Sequence, residues 1–188
     1  VIPMLVGGSI FGCAPPRLEL TPTEEERLRD KARRVAKQQI AEWRHHLAEF
    51  WKWVKEFSVT PDISYEYITA VLDAKGNASD LLDIILEYGY LPPWWILKVF
   101  GVDSILDKID EALDLGISIT EANMLAQHAQ NLIAAQEAAV DEYVRVMMEG
   151  AAAQGCELDE DAVRAEAEDW VKGELRRHAD NAYAGWRK

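Results

Sequence analysis

Apolar residues recur every three or four positions along most of this chain, which is the spacing of one buried face on an α-helix. The first such series has no glycine between residues 24 and 57, and Thr21-Pro22-Thr23-Glu24 before it has the form of a helix-starting capping box. The pattern therefore predicts a long helix over residues 22–57. Its predicted buried positions are Leu28, Ala32, Val35, Ala36, Ile40, Trp43, Leu47, Phe50, Val54 and Phe57.

Two more long helices are predicted in the second half of the chain. The sequence Ser118-Ile119-Thr120-Glu121 forms a second capping box, and helix is expected from 119 to 154. A last helix is expected over residues 159–184. The predicted buried positions of the two helices are Leu125, Ala129, Leu132, Gln136, Ala139, Tyr143 and Met147, then Val163, Ala167, Trp170, Val171, Leu175 and Ala179.

The segment between these long helices is predicted to contain shorter helices. Over residues 60–116, glycines at 76, 89, 101 and 116 stand where short helices would need a left-handed terminal residue. No alternation typical of a strand is found. We predict an all-α fold in one domain, residues 21–188. Two long helices pack antiparallel and are joined by a third, C-terminal helix and by a cluster of four short helices.

The first sixteen residues carry no charge, and residues 1–20 are predicted to form an extended apolar tail. Burying one large apolar side chain is worth roughly 1.5–3 kcal/mol. The tail is therefore expected to attach the protein to something, either other protein or lipid, unless it joins the chain's own core. It is too short to span a bilayer. The expected attachment residues are Val1, Ile2, Met4, Leu5, Val6, Ile10 and Phe11.

Part of the tail resembles a known processing signal. Ile10-Phe11-Gly12-Cys13, followed by Ala14-Pro15-Pro16, is similar to the end of a bacterial lipoprotein signal peptide. The resemblance implies cleavage before Cys13 and lipid on its thiol and amine. Two other outcomes stay open: an intact tail packed against protein, and an intact tail that touches a membrane.

The net charge of the chain and its uneven distribution indicate which partners are favoured. The 188 residues are 49% apolar and 28% charged, with a net charge of −13, which makes nucleic acid an unfavourable partner. Residues 22–57 carry nine basic and seven acidic side chains, whereas residues 58–118 carry three and eleven. The basic cluster Arg27, Arg29, Lys31, Arg33, Arg34 and Lys37 is expected either to be a solvated helix face or to face a partner.

Candidate chemistry is sparse. Glu42 and His45 have the Glu-x-x-His spacing of di-metal sites in helical bundles, but such sites need two of these pairs and further carboxylates. The other two helical histidines, His128 and His178, lack a glutamate three residues earlier. Cys13 and Cys156 are expected to be isolated thiols. We therefore expect no catalytic residue, no metal and no cofactor.

The seven tryptophans mark two kinds of surface. Trp43, Trp51, Trp53 and Trp170 lie on or beside predicted buried faces and are assigned to the core. Residues 84–100 contain only two charged side chains, a composition typical of a core, a protein interface or a membrane surface. The candidate interface residues in this stretch are Tyr88, Tyr90, Trp94, Trp95 and Phe100.

These features predict a non-enzymatic helical structural or adaptor subunit, held by its tail among other protein subunits and working in an oligomer. The composition is similar to that of small structural proteins of tailed phages, which would place the protein in a virion. A lipoprotein of the bacterial cell envelope, in contact with membrane lipid, is the alternative. A small-ligand binder or an enzyme that uses a pocket among the short helices is the third hypothesis.

Overall fold

The computed structural model describes residues 19–57, 60–73 and 119–188, and every regular element in these ranges is helical. Helix α1 spans Pro22–Val54 and continues as a 3₁₀ turn, Lys55–Phe57; α2 spans Pro61–Asp73, α3 Ile119–Ala153 and α4 Glu160–Trp186. The predicted all-α fold is confirmed, and the predicted bounds of the three long helices differ from these by three residues or fewer. Of the predicted short-helix cluster, α2 alone lies within the described residues.

Local side chains fix where α1 and α4 begin. The Thr21 amide donates to Glu24 Oε1 at 2.9 Å, and the Glu24 amide donates to Thr21 Oγ1 at 3.2 Å. This reciprocal pair is the predicted capping box. At the start of α4, the Asp161 amide donates to Asp159 Oδ1 at 3.0 Å. Both helices therefore begin where a side-chain oxygen satisfies an amide that has no partner inside the helix.

A left-handed glycine ends α3. Gly155 has φ of 70°, its amide donates to the Ala152 carbonyl at 3.0 Å, and the Cys156 amide donates to the Ala151 carbonyl at 2.9 Å. This is a Schellman motif, which the sequence reasoning did not assign to Gly155. Cys156 is a free, buried cysteine whose thiol donates to the Glu19 carbonyl at 3.4 Å. The short connection after the motif makes α3 and α4 antiparallel neighbours.

The described helices form two compact units. The first takes in 22–37 of α1, 140–153 of α3 and 160–169 of α4. In it, Leu28 near the start of α1 lies against Gly150 near the end of α3, as antiparallel packing requires. Its buried core comprises Leu28, Ala32, Ala36, Val140, Tyr143, Val144, Val146, Met147, Ala151, Cys156, Val163 and Ala167.

The second unit takes in 38–54 of α1, all of α2, 119–139 of α3 and 170–186 of α4. Phe50 near the end of α1 stacks on Tyr67 of α2, with ring centroids 5.0 Å apart, and meets His128 near the start of α3 edge-on. Here α1 and α2 supply the large side chains, while α3 contributes mostly alanines. Among the largest fully buried side chains of this unit are Trp43, Phe50, Tyr67, Ile68 and Leu72.

Most predicted core positions are buried, and the exceptions lie beside the core. Trp43 and Trp53 are buried as predicted, whereas Trp51 and Trp170 are half-buried, so their assignment to the core is wrong. Val35 and Gln136 are also half-buried. The Gln136 amide reaches the Leu72 carbonyl at 3.3 Å, which explains a polar residue at that position. The side chains of Phe57 and Leu125 lie outside the described residues.

Two helical glycines should respond oppositely to replacement by alanine. Gly173→Ala should stabilise the protein by about 0.5–1 kcal/mol, because nothing lies within 4 Å of the new methyl group and alanine favours helix. Gly150→Ala should destabilise it by about 1 kcal/mol, since its methyl group would stand 2.2 Å from Leu28 Cδ2 in a packed core. Urea unfolding of both variants checks this, and a stabilised Gly150→Ala variant would contradict the described contact.

Candidate functional site

A polar cluster joins the three helices of the first unit. The Glu166 carboxylate on α4 accepts hydrogen bonds from Arg29 of α1, with Nε 3.1 Å from both oxygens and Nη2 3.0 Å from Oε1. Glu166 Oε2 also accepts a hydrogen bond from the Tyr143 hydroxyl of α3 at 2.6 Å. Arg29 further pairs with Glu25, one turn earlier on α1, at 2.8 Å. We call Arg29, Tyr143 and Glu166 the helix clamp.

Each group of the helix clamp stabilises the protonation state of the group that it contacts. Burial opposes the negative charge of Glu166, but hydrogen bonds from Arg29 and Tyr143 outweigh it and lower the pKa of Glu166. Burial and the bond to Glu166 raise the pKa of Tyr143 to about 12. The hydrogen bond to Glu166 likewise raises the pKa of Arg29. At neutral pH the cluster therefore holds a carboxylate, a phenol and a guanidinium, and none of the three is poised to exchange a proton.

A second polar row connects α2 and α4 in the other unit. Asp62 accepts a hydrogen bond from the Tyr183 hydroxyl, and Tyr65 donates to Asp180 at 2.5 Å. The two tyrosine rings stack at 4.5 Å. Farther along, Asp73 pairs with Lys172 at 2.6 Å and with Arg176 at 3.4 Å. Residue numbers rise on α2 as they fall on α4, so this row fixes an antiparallel register.

An aromatic cleft of about 390 Å³ lies between α1 and α4 in the same unit. One wall is formed by the stacked indoles of Trp51 and Trp186, whose centroids are 4.5 Å apart and whose planes differ by 15°. Arg44, His178 and Asn181 supply its polar groups. The volume is near the lower end for small-molecule sites. By chemistry, the cleft would suit a flat molecule with a negative charge. The hypothesis of a ligand pocket had placed it elsewhere, among the short helices.

The histidines are arranged differently from a metal site. Glu42 faces His46, one turn later, with Oε1 and Nε2 3.4 Å apart, and His45 is exposed. His128 lies among aromatic rings, 5.2 Å from Trp53 between centroids, and burial lowers its pKa. Within the described ranges, no group of three or more His, Cys, Asp or Glu side chains is placed to hold a metal ion.

The residues predicted for attachment lie outside the described residues and stay predictions. They are Val1, Ile2, Met4, Leu5, Val6, Ile10 and Phe11 of the tail, Cys13 of the proposed processing signal, and Tyr88, Tyr90, Trp94, Trp95 and Phe100 of the candidate interface. Among the helices that the structure describes, none has the length and apolar composition needed to cross a membrane.

Sequence reasoning missed the helix clamp as a unit. Tyr143 was placed on the buried face of α3, and Arg29 was counted within the basic cluster, but Glu166 was not singled out. The available signal was a charged residue directly beside a buried position on two helices, Glu166 before Ala167 and Arg29 after Leu28. Periodicity identifies such flanking positions but does not say which of them meet.

No protein-family model, curated protein sequence or solved structure matches this chain at a significant level.

Proposed function

We propose that this protein is a non-enzymatic helical structural or adaptor subunit of a larger assembly, attached through its apolar N-terminal tail. The observation that carries the proposal is the helix clamp. The hydrogen bonds of the helix clamp join α1, α3 and α4. They stabilise the protonation states that Arg29, Tyr143 and Glu166 have at neutral pH. A catalytic acid or base would instead need a pKa near the working pH. The helix clamp is therefore suited to holding the three helices of the first unit together rigidly.

Helix length supports the same role. α1 contains 33 residues and α3 contains 35, so each extends for about 50 Å. Helices in globular proteins average about 11–12 residues. Within each unit, the buried faces of these helices and the polar contacts between them fix neighbouring helices in one register. Such packing suits a structural role.

The tail supplies the attachment. Its apolar side chains would contribute on the order of 10 kcal/mol if all were buried. Ordering about sixteen residues costs an amount of similar size. The tail therefore gains little by ordering alone and needs a receiving surface. A virion and a bacterial envelope are the two settings proposed for that surface.

Fractionation of the native protein tests this proposal. We expect it to sediment with a complex much larger than 21.2 kDa, with residues 1–12 present in its intact mass. A free monomer in native extracts would contradict the adaptor role. A native chain that begins at Cys13 with the mass increment of lipid would instead establish the lipoprotein alternative.

A further inference from the structure

The aromatic cleft between α1 and α4 lies entirely within the second unit. All eight residues that line it belong to that unit. Ala48 on α1 and Ala182 on α4 are two of them, and the buried Leu47 is a third. Because the side chains at positions 48 and 182 are single methyl groups, they leave space between the two helices that larger side chains would fill. The cleft therefore follows from the residues on these two helix faces.

Aromatic and polar groups lie at opposite ends of the cleft. The indoles of Trp51 and Trp186 stack with centroids 4.5 Å apart, so they mark the same level on the two helices. On both helices the other lining residues have lower numbers than these tryptophans, so α1 and α4 run in the same direction here. Arg44 lies seven residues before Trp51, and His178 lies eight residues before Trp186. The polar end is therefore about 10–12 Å from the aromatic end along the helices.

The lining of the cleft favours a negative charge at its polar end. Arg44 supplies a guanidinium, whose paired N–H groups match the two oxygens of a carboxylate. The Asn181 amide supplies a further hydrogen-bond donor. None of the eight lining residues is acidic, although the chain as a whole has a net charge of −13. An anion in the cleft would therefore meet a cation and no carboxylate among the residues that line it.

We propose that this cleft binds a small, flat aromatic carboxylate, whose ring lies against Trp51 and Trp186 and whose carboxylate lies on Arg44. Aromatic rings attract one another in offset or edge-on contact, with centroids about 4.5–7 Å apart. A two-ring molecule suits both the separation of about 10 Å between the two ends and the cleft volume of about 390 Å³. This binding activity goes beyond the proposed structural role and does not depend on the N-terminal tail.

Titration of the full chain with naphthoate, a two-ring aromatic carboxylate, tests the proposal. Binding is followed by the indole N–H signals in nitrogen-correlated NMR spectra, and the variants Trp51→Phe and Trp186→Phe assign the two signals of the aromatic end. We expect these two signals to shift in a saturable manner, with a dissociation constant of about 1 mM or lower. The signal of Trp170, which is also half-buried but does not line the cleft, should stay in place.

A variant that fills the cleft locates the binding site. Ala48→Leu places a larger side chain in the cleft at an exposed position, and it should weaken naphthoate binding by at least about tenfold. The matched control is Ala134→Leu, the same replacement at an exposed position of α3 outside the cleft. It should bind naphthoate like the wild type. Circular dichroism checks that both variants keep the helix content of the wild type.

The uncharged amide of the same probe tests the role of Arg44. The wild type should bind naphthoate about fivefold more tightly than naphthamide, because only the carboxylate pairs with a guanidinium at the cleft surface. Arg44→Gln should remove this preference. Arg34→Gln, which changes an exposed arginine of α1 outside the cleft, should keep it.

Three results would overturn the inference. They are the absence of a saturable shift at Trp51 and Trp186, equal naphthoate binding by Ala48→Leu and the wild type, and an unchanged preference for naphthoate in Arg44→Gln. None of them bears on the proposed structural role, which is tested separately by the size of the native complex.

Discussion

Replacing Trp43 with alanine should destabilise the protein by about 3–5 kcal/mol. Trp43 is fully buried in the core of the second unit, where it is the largest enclosed side chain. Its removal leaves a cavity that the surrounding packed helices close only in part. Urea unfolding followed by circular dichroism measures the loss.

Two tryptophan variants serve as controls. Trp51→Ala should cost about half as much, because Trp51 is half-buried and packs mainly on Trp186. Trp43→Phe should cost about 1 kcal/mol or less. Its aromatic bulk remains, and the variant removes an indole N–H that is buried without an acceptor among the described residues. Equal losses for Trp43→Ala and Trp51→Ala would show that Trp43 is not the centre of this core.

Replacing Glu166 with alanine should destabilise the protein by about 2–3 kcal/mol at neutral pH. The variant removes the carboxylate that accepts hydrogen bonds from the Tyr143 hydroxyl and from the Arg29 guanidinium, and with it the polar link between the three helices. Arg145→Ala is the control, since its pairs with Glu142 and Glu149 lie in solvent. That variant should leave the free energy of unfolding nearly unchanged. A similar small effect for Glu166→Ala would show that the helix clamp does not stabilise the fold.

The stability of the protein at acid and at alkaline pH tests the same cluster. The pKa of Glu166 is lowered in the folded protein, so its contribution is present above its unfolded pKa and is lost as the pH falls through the folded value. The pKa of Tyr143 is raised to about 12, so its contribution is present below pH 10 and is lost as the pH rises towards 12.

The variant Tyr143→Phe should therefore lose less stability between pH 10 and pH 12 than the wild type. The expected difference is about 2 kcal/mol, less than the full equivalent of two pKa units because Tyr143 is only half ionised in the folded protein at pH 12. Unfolding curves at each pH give both slopes, and parallel losses in the two proteins would contradict the raised pKa.

Local chemistry made the helices predictable, and long-range pairing made the helix clamp unpredictable. Thr21 and Glu24 are three residues apart, so the hydrogen bonds between them could be inferred from spacing alone. Arg29 and Glu166 are 137 residues apart, and their meeting depends on the register of helices packed together. Gly155 was partly predictable. A glycine is typical of a helix C-terminus, but the alanine-rich end of α3 also allowed the helix to end at Gly150 or Gln154.

We propose that residues 1–16 attach a body that folds without them. The most direct test is to express the full chain and a chain lacking residues 1–16 in the source cells, and to measure the share of each that sediments with large assemblies or membranes. We expect the truncated chain to keep the circular dichroism spectrum and urea midpoint of the full chain and to appear only in the soluble, low-mass fraction. Normal incorporation of the truncated chain, or its unfolding, would contradict the claim.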